Sequence, residues 1–442
     1  MFEPFKTREF TVRAVVLGTI LAIILGAANT YLGLYAGMTV SASIPAAVLS
    51  MAILRGILRK GTILENNMVQ AIASSGESVA AGVIFTVPAL VLTQAWHHFR
   101  YWPTTLLAIS GSLLGILFMI PLRRALIIEE KELCFPEGTA CAEVLKAGDE
   151  GGKGGRLIFL GILAGGVYKF LIEGLSLMKG LLEVAFQAGR SLFYIGTANS
   201  LALTAVGYIV GLNIGTLVVT GGVISWIIGI PLYTFMTGIP AGETLGAAWS
   251  VWSTQIRYMG VGAMAVGGLW TIWSVRHGLK KGFRKIFGSQ PLISLPDRTD
   301  QDLSRKIMLP LLGVSMLMVI FLYKIMTGSL VVSIASTLIM TFACFFFVAV
   351  SSYIVGLVGS SNTPVSGMTI CTLLFASAIL LLFGFKGVVG LTAVLGVAGV
   401  VCCAATSAND ISQDLKTGCL VGATPKKMQI GEIIGAVAAS LV

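Results

Sequence analysis

Runs of about twenty apolar residues recur along this chain, and they constrain its fold more than any motif in it. A bilayer core about 30 Å thick takes roughly 20 helical residues to cross. Twelve runs of that order can be read: Val12–Ala36, Met38–Leu58, Asn67–Thr93, Pro103–Arg123, Leu157–Leu177, Ser200–Val218, Val219–Met236, Thr254–Val275, Ile307–Met326, Ser329–Leu357, Val365–Phe385 and Gly387–Thr406. A thirteenth begins near Met428 and is still apolar at Val442. Of 442 residues, 56% are hydrophobic and 11% charged, against about 25% charged in soluble domains. Backbone groups in lipid must bond within their own segment, which leaves helices for runs of this length. The expected fold is all-α and polytopic, with about twelve full transmembrane helices plus a cut-off thirteenth. The 53 glycines suit close helix approach and broken helices. Val12–Ala36 is too long for a signal peptide and reads as a retained span.

Charge gives the orientation. With the N-terminus in the cytoplasm, 23 of the 30 Lys and Arg fall on the cytoplasmic side, in Lys6–Arg13, Arg55–Lys60, Arg123–Arg156, Arg276–Lys306 and Lys416–Lys427. That bias follows the positive-inside rule. It accounts for the net charge of +10 without a nucleic-acid partner. The expected location is the inner (plasma) membrane, with the lipid bilayer as surroundings. The expected division is a bundle over 1–275 with a cytoplasmic-side connector at 124–156, a basic loop at 276–306, and a second bundle at 307–442, truncated at its end. Glu129–Asp149 leaves room for a short helix after Pro136. Ser176–Gly196 is amphipathic and suits the outer interface. "YIVGL" occurs at Tyr208–Leu212 and again at Tyr353–Leu357, and "YLGLYAG" at Tyr31–Gly37 resembles "VGLNIGT" at Val210–Thr216. The latter two run in opposite directions on this topology, the pattern of inverted repeats.

Four stretches carry chemistry. In "AANTYLGLYAGMTVSASIPAAV", Asn29, Tyr31, Ser41 and Ser43 stand among Gly33, Gly37 and Pro45; a discontinuous helix lining a cavity and a small-residue packing seam both fit. In "ENNMVQAIASSGESVAAGVIFTVPAL", Glu77 lies mid-span. An ionisable group there must face protein or water, as a coupling carboxylate or as a structural hydrogen bond. In "SYIVGLVGSSNTPVSGMTI", Ser360, Ser361, Asn362, Thr363 and Ser366 follow Gly356 and Gly359 with no charge among them. A tight loop fits, as does backbone folded into the bundle to meet a solute. In "CAATSANDISQDLKTGCLVGATPKK", Asp410 and Asp414 are one helical turn apart and share a face, with Ser407 and Asn409 just before them; a cytoplasmic gate, a helix cap and a solvated helix end all fit.

Some chemistries are excluded. No P-loop, HExxH or GxSxG is present, so neither ATP hydrolysis nor another enzymatic activity is expected. The seven Cys form no zinc-type spacing and only three His occur, so no metal site and no cofactor are expected.

At these residues the sequence resembles the oligopeptide transporter family, in its prokaryotic and yellow-stripe-like branch. The carrying stretches are "NTYLGLYAGMTVSASIPAAVLS", "NNMVQAIASSGESVAAGVIFTVPAL", "FPEGTACAEVLKAG", "YMGVGAMAVGGLW", "SYIVGLVGSSNTPVSGMTI" and "DISQDLKTGCLVGATP". The resemblance implies a secondary active importer of small peptides or peptide-like metal chelates, driven by protons or another cation. It also implies more helices than follow here, hence the expectation of truncation. A non-transporting membrane subunit is the further alternative, and a second copy of the chain is a candidate partner. Asn29, Tyr31, Ser41, Ser43, Ser360, Ser361, Asn362, Thr363 and Ser366 are the expected solute contacts. Glu77 and Asp410 are the expected coupling groups.

Overall fold

The computed structural model describes residues 8–442 apart from 37, 38, 40, 60, 151, 211, 264, 265, 268, 269 and 271–296. Most of the basic loop expected at 276–306 therefore lies outside the described residues. The chain forms two compact units, one from Met1–Glu150 with Gly268–Val442, the other Gly151–Gly267.

The first unit holds α1 (Val12–Ala36), α2 (Ser43–Met51), α3 (Ile63–Ile84), α4 (Val87–Leu92), α5 (Tyr101–Arg123) and α6 (Pro136–Glu150). The second holds α7 (Gly152–Lys169), strands β1 (Leu181–Ala188) and β2 (Ser191–Ala198), then α8 (Leu201–Val210), α9 (Leu212–Gly222), α10 (Ile230–Thr237) and α11 (Thr244–Val251). The chain then returns to the first unit as α12 (Arg305–Thr327), α13 (Leu330–Val358), α14 (Val365–Leu382), α15 (Gly387–Val421) and α16 (Pro425–Ser440). Among the described residues seven helices are long and apolar enough to cross a membrane. The fold is all-α in class, with one small two-stranded sheet.

In the first unit, α15 is the axis. Its 35 residues extend well beyond the apolar run, through "SANDISQDLKTG", and that polar end is buried almost throughout. The helix can stay polar because it faces other helices and not lipid. Packing is close enough to need missing side chains: a Cβ at Gly82 of α3 or Gly111 of α5 would run into Cys403 of α15. Small residues at such crossings let backbones approach. α3 starts on a capping box, in which Thr62 and Glu65 each bond the other's backbone N–H. Arg13 of α1 donates to both Glu65 oxygens, at 2.9 and 2.6 Å. At α5, Arg123 donates to Asp302 at 2.6 Å, and Gln429 of α16 donates to the same carboxylate at 2.9 Å.

In the second unit, Ser176–Gly196 is not a simple amphipathic interface segment: most of it is the β1–β2 hairpin, paired from Leu181↔Ala198 to Ala188↔Ser191. The two-residue turn Gly189–Arg190 takes positive φ at Gly189 alone, +62°, which matches the II′ turn that hairpin twist favours. Leu192 and Tyr194 of β2 pack with Ile230, Ala248 and Val251, and the Leu192 N–H donates to Thr234 Oγ1 at 2.9 Å. Tyr194 donates to Glu183 at 3.0 Å. Burial, and then that bond, push its phenol up to about 12.

Candidate functional site

The two helix breaks singled out in the sequence meet in the first unit. One joins α1 to α2 and supplies Thr39 and Ser41; the other joins α13 to α14 and supplies Ser360 and Ser361. With Glu77 and Ala81 of α3, Val365 of α14, and Thr406, Asn409 and Asp410 of α15, they line a cavity of about 30 Å³. That is room for a water molecule or two.

Each break is aimed at a carboxylate. Glu77 is 3% exposed. Asn29 Nδ2 donates to its Oε1, and the Ala42 N–H, just ahead of α2, donates to its Oε2 at 3.2 Å. At the second break, Gly359 ends α13 with φ +88°. Ser360 Oγ then donates to Glu137 Oε2 at 2.6 Å and the Ser361 N–H to Glu137 Oε1 at 2.9 Å. Glu137 is the second residue of α6, where the helix dipole favours negative charge. Ser360 also lies beside Asp410. Gln413 of α15 braces this corner, accepting from the Gly138 N–H at 2.7 Å and donating to the Val355 carbonyl at 3.0 Å.

Asp410, Glu137 and Asp414 are the other carboxyl groups around Glu77. Among the described residues, no ion pair reaches any of the four. Their bonds come from neutral amides, hydroxyls and backbone N–H groups. Asn409 adds a different group. Its Oδ1 accepts from Ser351 while its Nδ2 is buried with no partner, a donor available to a carbonyl or carboxylate.

The expected residues divide clearly. Ser41, Glu77, Ser360, Ser361 and Asp410 line the cavity, and Asn29 bonds Glu77 directly. Ser43 is one step away, donating to Asp414 Oδ1 at 3.1 Å. Asn362 and Thr363 serve their own turn, donating to the carbonyls of Val358 at 3.1 Å and Gly359 at 2.8 Å. Tyr31 is 72% exposed on α1 and does not line the cavity. The side chain of Ser366 lies outside the described residues. Sequence reasoning passed over Glu137 and took Asn409 only as a neighbour of Asp410, without a contact of its own. Glu137 sits in "FPEGTACAEVLKAG" as a plausible first-turn acid, and Asn409 beside Asp410 reads as a helix-end polar residue. Only the packing of α6 and α13 against α15 brings them to the site.

Comparison with known proteins places the chain in a family. The family model described as OPT oligopeptide transporter protein matches residues 9–442. A Haemophilus influenzae protein named as a candidate oligopeptide transporter is 38% identical over 436 residues, covering 93% of this chain and 68% of that protein. A Saccharomyces cerevisiae protein named in the same way is 27% identical over 157 residues, 31% of this chain and 22% of its own length. A match over nearly all of the chain, with a relative this similar, makes it a member of the oligopeptide transporter family.

Proposed function

We infer that the chain imports small oligopeptides by cation-coupled alternating access, with a proton as the coupling ion at Glu77 and Asp410. The observation that carries this reading is the Glu77 carboxylate, buried without a cationic partner and facing a cavity formed at two helix breaks. A solute amine entering beside Glu77 and Asp410 finds negative charge, and its carbonyl or carboxylate finds Asn409 Nδ2 and the hydroxyls of Ser41 and Ser361. At about 30 Å³ the cavity admits water and not a dipeptide, so import requires a second conformation in which the breaks separate. The chain sits in the inner membrane with its N-terminus in the cytoplasm, following the charge bias of its loops.

The test is uptake of labelled di- to tetrapeptides into proteoliposomes, with and without an inward proton gradient. Gradient-dependent accumulation is expected, with Glu77→Gln reducing it to the level of passive exchange. Accumulation by Glu77→Gln as strong as that of the unaltered protein would remove Glu77 from the coupling role.

A further inference from the structure

A second buried polar layer, on α3, α15 and α16, lies outside the lining of the cavity and meets its surroundings at Asp414, which Ser43 bonds. A Cβ at Gly418 of α15 would meet the Met428 sulfur of α16. One turn deeper on each of these consecutive helices stand Asp414 and Glu432, both fully buried. α3 closes the third side. Asn67 Nδ2 donates to the Met428 sulfur at 3.4 Å, Gln70 Nε2 to Asp414 Oδ1, and Ser75 Oγ to the Glu432 backbone carbonyl. The bond to Asp414 settles which end of the Gln70 amide is nitrogen and which is oxygen.

Five atoms here are buried without a hydrogen-bond partner: Asn67 Oδ1, Gln70 Oε1, Asp414 Oδ2 and both Glu432 carboxyl oxygens. All five are acceptors, and all four residues are at 0% exposure. Leaving them unanswered is costly in a dry interior. A proton on Glu432 bridges at most two oxygens, whereas one oxygen-ligated cation serves the whole set. Carboxylate and amide oxygens suit hard cations. Among the described residues no group of three His, Cys, Asp or Glu is placed to hold a metal ion, which disfavours a transition metal. Full enclosure disfavours magnesium, which gives up its water reluctantly.

We propose that Asn67, Gln70, Asp414 and Glu432 form a second cation site, for a hard monovalent ion of the sodium type. It adds an ion to the cation-coupled reading and does not depend on which solute is carried.

Thermal unfolding of the purified full chain in sodium, potassium or choline chloride, at equal ionic strength and fixed pH, tests the site. A ligand that binds only the folded state raises the midpoint in a saturable way, so sodium is expected to raise it and choline not. Asn67→Ala and Glu432→Gln are each expected to shift the half-saturating sodium concentration on the order of tenfold. If Glu432→Gln does not fold, Asn67→Ala, which changes no charge, carries the test. Equal midpoints in all three salts overturn the proposal, as does an unchanged sodium response in Asn67→Ala. Stabilisation that follows pH without salt selectivity gives Glu432 a proton instead and overturns it too. The assay reads no transport. A lost sodium response leaves the peptide reading standing, and failed peptide uptake leaves an intact sodium response standing.

Discussion

Glu65 and Glu77 stand on the same helix and are both buried, yet they are held in opposite ways. Glu65 accepts from Arg13, Thr11 and the Thr62 N–H, a set that neutralises it and fixes the start of α3. Glu77 accepts from the amide of Asn29 and the Ala42 N–H, which hold the group without cancelling its charge. Removing the two charges therefore has different consequences. Glu65→Gln is expected to destabilise the protein by about 1–2 kcal/mol, the scale of a charged hydrogen bond weakened by partial solvent access, with gradient-driven uptake retained. Unfolding and uptake measured side by side separate the two effects. Gly359 is the other residue whose identity is dictated locally. It combines φ +88° with an approach in which an added Cβ would lie 2.8 Å from Glu137 Oε1. Gly359→Ala is expected to cost on the order of 1–3 kcal/mol through backbone strain, and to disturb the Ser360 and Ser361 bonds with it. A thermal midpoint equal to that of the unaltered protein refutes this.

At the scale of elements, Gln413 joins three helices that sequence order keeps far apart. Its amide bonds the start of α6 and the end of α13 from the polar end of α15, while Thr417 Oγ1 donates to the Gly138 carbonyl at 2.9 Å. Gln413→Ala leaves the buried Gly138 N–H unpaired and takes from the Val355 carbonyl one of its two donors, the Gly359 N–H remaining, an expected loss of about 1–2 kcal/mol together with weaker solute binding. Titration of the purified variant with peptide checks both. The hairpin of the second unit has its own signature. Tyr194 is pushed up to about 12 in the fold, against about 10 in an unfolded chain. A raised value means its contribution is fully present below pH about 10 and is lost as pH rises toward about 12. Tyr194→Phe is expected to lack that part of the alkaline loss of stability. Tyrosinate absorbance followed during alkaline titration identifies the group.

The first unit has to change shape to work as proposed, because the cavity at its helix breaks has room for water alone. A cysteine at Ala81, placed in a cysteine-free background, is expected to react slowly with a polar thiol reagent and faster when peptide is added. Equal rates with and without peptide contradict opening at this cavity. The membrane-spanning helical class was legible in the sequence because apolar runs of about twenty residues have few other stable outcomes. The breaks at Ser41–Ser43 and Ser360–Thr363 were legible as well, since uncharged small polar residues between apolar runs stand out by composition. So was Glu77, as a lone carboxylate at mid-span. The hairpin at Leu181–Ala198 was not, because the alternation of Leu182, Val184 and Phe186 also fits an interfacial segment until β2 pairs with it. The buried polar end of α15 was hidden too, since "SANDISQDLKTG" resembles a solvated helix end until α3, α6 and α16 cover it. Sequence by itself determined which long apolar segments are helical and where two of them break, through local chemistry acting over a few residues. Tertiary structure alone decided which polar groups meet. Asn29 with Glu77, Glu137 with Ser360, and Asp414 with Gln70 are joined only when distant helices pack, and pairing between distant residues is set by burial of the whole bundle and not by any one segment.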